Sequence, residues 1–266
     1  MKALMRVTFL EGVRSRILYG IFLFALFVVF LSIIFANFFM QDLGKVAFDF
    51  NISAITLAGL LISASLSVNL IAKDLDKKTI YFVLSRPISR MQYVWGKYLG
   101  LLAVFLFAYL LLTLVSGLAL VLLKNLHADY FDSFSWLAYL QAVYFDFIKI
   151  MVLNAIILLF GVITTSSFVN LLFTVSIYIM GQSISDVINF LSLERGQEAV
   201  TPAIKGLITG VKYLVPNFEA FDFKVISAHG QLIGWGDFFL FTGYGVVYAV
   251  LVLCLAALIF QRRELL

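Results

Sequence analysis

The chain has 266 residues, of which 63% are hydrophobic and 13% are charged, and its formal net charge is +4. A soluble domain has about 45–50% apolar residues and about a quarter charged residues. The surplus of apolar side chains cannot be buried in one aqueous core, so the composition excludes an ordinary soluble protein and predicts an integral membrane protein. The single cysteine, Cys254, excludes a disulfide framework.

The N-terminus carries cations ahead of a long apolar run. Lys2, Arg6, Arg14 and Arg16 come before this run, which covers residues 17–39, and no small-residue cleavage site follows it. We therefore expect a retained first span rather than a signal peptide.

Six apolar runs are long enough to span a bilayer, since each has the roughly 20 residues that about 30 Å of hydrocarbon requires. The predicted spans are residues 17–39, 51–72, 93–123, 143–165, 169–191 and 238–260. The sequence therefore predicts an all-α polytopic membrane protein with six transmembrane helices, which form a single transmembrane domain over residues 1–266.

No charged residue separates the fourth and fifth spans, yet the chain must turn between them. As one helix, residues 147–193 would be about 70 Å long, more than twice the bilayer core. Residues 164–170 are the best position for the turn, because their hydroxyl and amide groups can cap freed backbone groups.

The positions of Lys and Arg predict the orientation. Twelve of these cations fall on the side of both termini and six on the opposite side, while Lys149 lies near a span end. Short positive loops stay in the cytoplasm. We therefore expect a multi-pass protein of a bacterial inner or plasma membrane, with both termini and the loop between spans two and three in the cytoplasm.

That cytoplasmic loop concentrates charge around a proline. Asp74 can cap a short helix through residues 75–84. Arg86 precedes Pro87, and because the residue before a proline disfavours the helical conformation, we expect a break there. Anchoring of the span ends would explain the cations of this loop, but it would not explain Asp74 and Asp76.

The third span is predicted to begin with a capping box. Ser89 and Gln92 have the required three-residue spacing and restart a helix at about Arg90. From there to Lys124 the helix would be roughly 50 Å long. We expect it to extend beyond the bilayer into the cytoplasm and to present the preceding short helix to a soluble partner.

Small and polar residues mark the interior of the spans. Gly59, Ser63 and Ser67 are four apart, a stripe that lets another helix approach closely, either within one subunit or across a dimer. The candidates for the substrate pathway or for helix packing are Gly59, Ser63, Ser67, Asn69, Asn154 and Asp186.

The remaining polar residues predict no catalytic or metal site. His127 and His229 are far apart, and no H-E-x-x-H motif occurs. Asp146 and Lys149 are three apart, and we expect them, like Asp186, to be solvated at a membrane interface, where the first two could also pair.

The longest outer loop, residues 192–237, contains an amphipathic helix. Thr201 can cap this helix, Pro202 suits its first position and Pro216 ends it. Apolar residues recur between the two prolines at three- and four-residue spacing, so the helix has one apolar face. It would lie on the outer leaflet or cap the bundle, as a structural lid or as a gate for substrate exit.

Four segments resemble the type-2 ATP-binding-cassette (ABC) permeases. KDLDKKTIYFVLSRPISRMQYVWGKYLG is similar to their cytoplasmic segment, in which an acidic residue, a Thr, SRPISR, a Tyr and a Gly-Lys pair recur in order. FLEGVRSRILYG resembles their amphipathic elbow helix, here within residues 2–16, with Glu11, Arg14 and Arg16 at the expected places. LVPNFEAFDFK and the ending FQRREL fit the same pattern.

The resemblance is greatest to six-span permeases that include the subunit of the nitrous-oxide-reductase maturation system. One departure is visible in the cytoplasmic segment. The family usually has Gly before the Thr and Glu upstream, whereas here Lys78 precedes Thr79, and Asp74 and Asp76 supply the acids.

The resemblance implies that residues 73–92 hold a coupling helix, which rests in a groove of a separate ATPase subunit. The residues it assigns to ATPase coupling are Asp74, Asp76, Lys77, Thr79, Leu84, Arg86, Pro87, Ser89 and Arg90. This chain contains no G-x-x-x-x-G-K-[ST] loop, so ATP and Mg²⁺ would bind the partner and not this chain.

The implied transporter has two permeases, most simply a homodimer, and two copies of the ATPase. An accessory protein on the outer side is a further expected partner, and nucleic acid is not. Because this chain would only move substrate, most simply by export, we expect it not to be an enzyme. The alternatives are a membrane scaffold that recruits cytoplasmic proteins without transport, and an intramembrane enzyme.

Overall fold

The computed structural model describes residues 2–36, 43–67, 89–131, 134–164, 166–192 and 201–262. Regular structure in these ranges is helical, and they contain no strand, which confirms the all-α prediction. The α-helices are α1 Lys2–Val13, α2 Arg16–Ala36, α3 Leu43–Ile62, α4 Arg90–Leu126, α5 Trp136–Ile163, α6 Ser167–Ser192, α7 Pro202–Leu214, α8 Lys224–Ala228 and α9 Trp235–Arg262.

Five of the described helices, α3, α4, α5, α6 and α9, are long and apolar enough to cross a membrane. Helices α1 and α2 are bent by 55° at a short break and provide a sixth span if they are counted together. The chain is therefore a polytopic membrane protein, as its composition predicts.

The turn between α5 and α6 lies inside the segment that was predicted to contain it. Helix α5 ends at Ile163, and the backbone N–H and the hydroxyl of Thr164 both donate to the carbonyl of Phe160, at 2.7 Å and 2.8 Å. Helix α6 begins at Ser167. A polar side chain thus caps the exposed end of α5, as expected for a chain that reverses at the bilayer surface.

Helix α3 begins at Leu43, eight residues before the predicted start of the second span. The predicted span covered a run without charged residues, whereas this earlier segment contains Lys45 and Asp49. In the structure Asn51 is fully buried, and its amide donates to the carbonyl of Ala47 at 2.7 Å. The helix continues as a π-turn over Ser63–Ser67.

Helix α1, which covers most of the expected elbow segment, packs closely along the first turns of α4. A Cβ on Gly96 would lie 2.9 Å from Leu4, and one on Gly100 would lie 2.6 Å from Thr8. Small residues on α4 therefore let α1 approach. Arg14 and Arg16 are exposed at the bend that follows. The orientation of α1 to the membrane surface stays a prediction.

The outer amphipathic helix is present as α7, with Pro202 at its first turn. Thr201 occupies the N-cap position, but its side chain makes no capping hydrogen bond. Two apolar residues of α7 face α6, since Ile208 and Val211 line a groove with Met180 and Ile184. The helix was predicted either to lie on the outer leaflet or to cap the bundle. This contact favours the second position.

Candidate functional site

A buried ion pair lies near the middle of α5. Lys149 Nζ is 2.9 Å from Asp146 Oδ1, and the two side chains are only 2% and 4% exposed. The predicted pairing is confirmed, but the predicted solvation at an interface is wrong. Helix α5 begins at Trp136, seven residues before the predicted span, so the pair lies deeper in the helix than the sequence indicated.

Two further side chains complete the coordination of the Asp146 carboxylate. Tyr109 on α4 donates its hydroxyl to Oδ2 at 2.8 Å. The Thr56 hydroxyl on α3 is 2.9 Å from Oδ1 and 3.0 Å from the carbonyl of Ile52. The hydroxyl has one proton, and we assign it to the carboxylate, because a hydrogen bond to a charged acceptor is stronger than one to a carbonyl. The carboxylate therefore joins α3, α4 and α5, and we call these four side chains the polar centre.

The polar centre is enclosed by apolar and aromatic groups. Tyr109 is 3% exposed and packs edge-to-face on Phe147, with ring centroids 5.5 Å apart. A charge in such surroundings is stable only when it is paired and hydrogen-bonded. Ionisable groups at this depth of a membrane protein are rare and commonly functional. The polar centre is for these reasons the main candidate site of the chain.

Gly59 gives Tyr109 access to the polar centre. A Cβ at Gly59 would collide with the Tyr109 hydroxyl and would lie 3.2 Å from Ile150. Ser63, four residues on, is fully buried and accepts a hydrogen bond from Asn154 at 3.4 Å. The first two residues of this stripe, Gly59 and Ser63, therefore pack against other helices of the same subunit.

The other predicted pathway residues do not join the polar centre. Asn154 also donates to the carbonyl of Ile150 at 2.9 Å, and Asp186 is exposed on α6. The stripe continues into the π-turn over Ser63–Ser67. Asn69 lies outside the described residues.

A second, uncharged cluster holds α2, α3 and α4 together. The Asn51 amide donates to the Ser32 hydroxyl at 3.1 Å, and the Ser116 hydroxyl donates to Asn51 Oδ1 at 3.0 Å. The three side chains are at most 1% exposed. Such neutral hydrogen bonds between helices are typical of packing inside membranes.

The outer segment between α7 and α9 fits between α6 and α9. The backbone N–H of Phe218 donates to the carbonyl of Gly181 at 2.9 Å, and Asn217 donates to the Ser185 hydroxyl at 2.9 Å. A Cβ at Gly181 would collide with the carbonyl of Pro216. The motif LVPNFEAFDFK, which the sequence resemblance singled out, is therefore packed against α6 at the end of the bundle that is predicted to face outward.

The start of α4 has the predicted capping box. The Ser89 hydroxyl accepts from the backbone N–H of Gln92, and the Ser89 N–H donates to Gln92 Oε1, both at 3.2 Å. Among the residues assigned to ATPase coupling, Ser89 and Arg90 are described. The others, Asp74, Asp76, Lys77, Thr79, Leu84, Arg86 and Pro87, lie outside the described residues.

In the described part of the chain, no three His, Cys, Asp or Glu side chains come together as a metal-binding group. Sequence reasoning missed Thr56 and Tyr109, because they lie 90 and 37 residues from Asp146 and no local pattern links them. The one available signal was the presence of two opposite charges inside a predicted span.

Membrane-length helices around a buried ion pair define a polytopic α-helical membrane protein. A family model described as ABC-2 family transporter protein matches residues 3–265, so the chain belongs to this family. Membership makes the chain a membrane component of an ABC transporter and implies association with an ABC ATPase. A comparison with curated proteins found no significant match.

Proposed function

We propose that the chain is the permease subunit of an ABC exporter. It moves substrate across a bacterial inner or plasma membrane while a separate ATPase subunit binds Mg²⁺ and hydrolyses ATP. The family match over residues 3–265 carries this proposal. The complete transporter has two ATPases and two permeases, which are two copies of this chain.

Residues 73–92 form the coupling segment in this proposal and rest in a groove of the ATPase. The capping box supports this assignment, because it ends the segment and begins α4. Helix α4 has 37 residues and is therefore about 55 Å long. A displacement at its cytoplasmic start would reach Tyr109 and hence Asp146.

The polar centre sets the register of the helices that such a displacement would move. Asp146 holds Thr56 of α3 and Tyr109 of α4 against α5 in this conformation. Closure of the ATPase pair on ATP shifts α4 against α5, and the Tyr109 hydroxyl then exchanges partners. The contact is directional, so α4 has discrete resting positions rather than a continuous slide.

On the outer side, α7 and the closure at Pro216–Phe218 cover the exit between α6 and α9. Release of substrate requires this closure to open, which assigns α7 the role of a gate. An outer accessory protein that receives the substrate is a further partner in this proposal.

Purification of the intact complex tests the proposal. The tagged chain, co-expressed with its neighbouring genes and extracted in mild detergent, should retain a nucleotide-binding subunit. Native mass spectrometry should give two copies of each chain. Recovery of cytoplasmic proteins without any nucleotide-binding subunit would favour the membrane scaffold instead.

A further inference from the structure

Arg90 reaches across the cytoplasmic end of the bundle to the last turn of α9. Its Nη1 donates to the carbonyl of Phe260 at 3.1 Å and to that of Gln261 at 3.0 Å. The guanidinium carbon lies 5.9 Å from the centroid of the Phe260 ring. Tyr93, one turn further along α4, stacks on the same ring with centroids 5.6 Å apart.

We infer that Arg90 is a positioning residue that locks the cytoplasmic start of α4 to the end of α9, so that both helices move as one unit. This inference rests on the proposed function for its role in transport. The family resemblance placed Arg90 among the residues that face the ATPase, whereas the structure directs its guanidinium to the last helix of the permease itself.

The electrostatics of the two helix ends favour this arrangement. Arg90 is the first residue of α4, where the helix dipole disfavours a cation. The carbonyls of Phe260 and Gln261 lie in the last described turn of α9. A cation is favoured towards the C-terminal end of a helix, so the guanidinium is better placed there than at its own helix start.

We call the contact of Arg90 with Phe260 and Gln261 the joint. The residues of both helices that form it are constrained by their neighbours. The capping box fixes the first turn of α4 and therefore the backbone that carries Arg90. Phe260 is 2% exposed and Tyr93 is 5% exposed, so the ring stack is buried. A charged group held by two carbonyls and a buried ring stack is more constrained than an exposed ion pair.

The joint gives the coupling segment a second route to α5. Helices α9 and α5 form the most extensive contact among the described helix pairs. The Tyr144 hydroxyl donates to Thr242 at 3.2 Å, and a Cβ at Gly245 would collide with Ile148 at 2.5 Å. Movement of α4 therefore acts on α5 through Tyr109 and, by way of Arg90, through α9.

Hydrogen exchange in the purified permease tests the joint without any ATPase. In Arg90→Gln, the amides of residues 259–262 should exchange about tenfold faster than in the native chain, because charge-assisted bonds to the last turn are lost. Arg90→Lys should recover part of the protection, since one ammonium cannot reproduce the guanidinium fork.

The matched control is Arg262→Gln, which removes an exposed cation from the same turn of α9 and should leave exchange elsewhere in α9 unchanged. Equal exchange at residues 259–261 in Arg90→Gln and Arg262→Gln would overturn the joint.

A distance measurement tests the common movement. Spin labels at exposed Met91 and Leu258, in a Cys254→Ala background, report the separation of α4 and α9 by double electron–electron resonance. With Arg90 present, the distance in the reconstituted complex should be the same without nucleotide and after trapping with ATP and vanadate. In Arg90→Gln it should shift or broaden on trapping.

The outcomes separate the joint from the proposed function. A native distance that changes on trapping, or an Arg90→Gln variant that behaves as the native chain, would overturn the common movement. Failure of vanadate to trap any nucleotide would contradict the proposed function alone. In that case the nucleotide-free distance distribution, narrow with Arg90 and broad without it, still decides the joint.

Discussion

Tyr109 donates a 2.8 Å hydrogen bond to Asp146 across the interface of α4 and α5, and both residues are buried. Tyr109→Phe removes this donor and keeps the ring contact with Phe147. We expect a loss of about 1–3 kcal/mol in stability, because a buried charged acceptor loses a partner. Thermal unfolding of the purified permease measures the loss.

The control for this substitution is Tyr19→Phe, at a tyrosine that is 55% exposed on α2. It removes the same hydroxyl and should leave the unfolding temperature unchanged. Equal unfolding temperatures for Tyr109→Phe and the native chain would mean that the hydrogen bond contributes nothing to stability.

The effects on stability of substituting Asp146 and Lys149 should depend on each other. Lys149→Met leaves a buried carboxylate without its cation, and Asp146→Leu leaves a buried ammonium without its anion. Each single change should destabilise the protein by about 3–5 kcal/mol. The double variant should be more stable than either single one, because no unpaired charge remains.

A thermodynamic cycle over the native chain, the two single variants and the double variant measures the coupling of Asp146 and Lys149. Folded yield in detergent and the unfolding midpoint supply the data. Strict additivity of the two single effects would show that the charges do not interact, contrary to the 2.9 Å separation of Nζ and Oδ1.

Gly59→Ala tests the close approach of Tyr109 to α3. The added Cβ would collide with the Tyr109 hydroxyl, so either the hydrogen bond to Asp146 or the spacing of the two helices must change. We expect a lower unfolding temperature. Gly20→Ala on α2 is the matched control, since nothing lies within 4 Å of its added Cβ. There the better helix propensity of Ala should leave stability unchanged or raise it.

The sequence predicted the spans and the turn at Thr164 because apolar length and capping chemistry are local properties. The capping box of Ser89 and Gln92 was predictable for the same reason. The predicted first residues of the helices were less accurate. Lys45 and Asp49 near the start of α3 have the composition of a loop, although the tertiary structure accommodates them in a helix.

The polar centre was only half predictable. The spacing of Asp146 and Lys149 indicated a pair, but their burial depends on where α5 begins and on Thr56 and Tyr109, which come from other helices. The partner of Arg90 was equally hidden, because Phe260 is 170 residues away in the chain. Contacts between distant segments leave no periodic signal in one sequence.

The coupling segment should control association with the ATPase. Asp74→Lys combined with Asp76→Lys reverses two charges in the segment proposed to rest on that subunit. We expect co-purification of the ATPase to fall at least about tenfold, as for loss of charge pairs at an interface, with unchanged membrane insertion. Asp129→Lys, at an exposed position on the predicted outer side, is the control and should retain the ATPase. Full recovery of the ATPase with the double reversal would remove these residues from the contact.

The same segment must face the cytoplasm, which a single engineered thiol can establish. In a Cys254→Ala background, Thr79→Cys should react with a membrane-impermeant maleimide only after the membrane is opened, because the cation-rich loops are predicted to lie inside. Asp129→Cys should react in intact cells, since it is exposed after the end of α4 that is predicted to face outward. Labelling of Thr79→Cys in intact cells would place the loop outside. It could then not receive movement from an ATPase, and the assignment of residues 73–92 to coupling would be wrong.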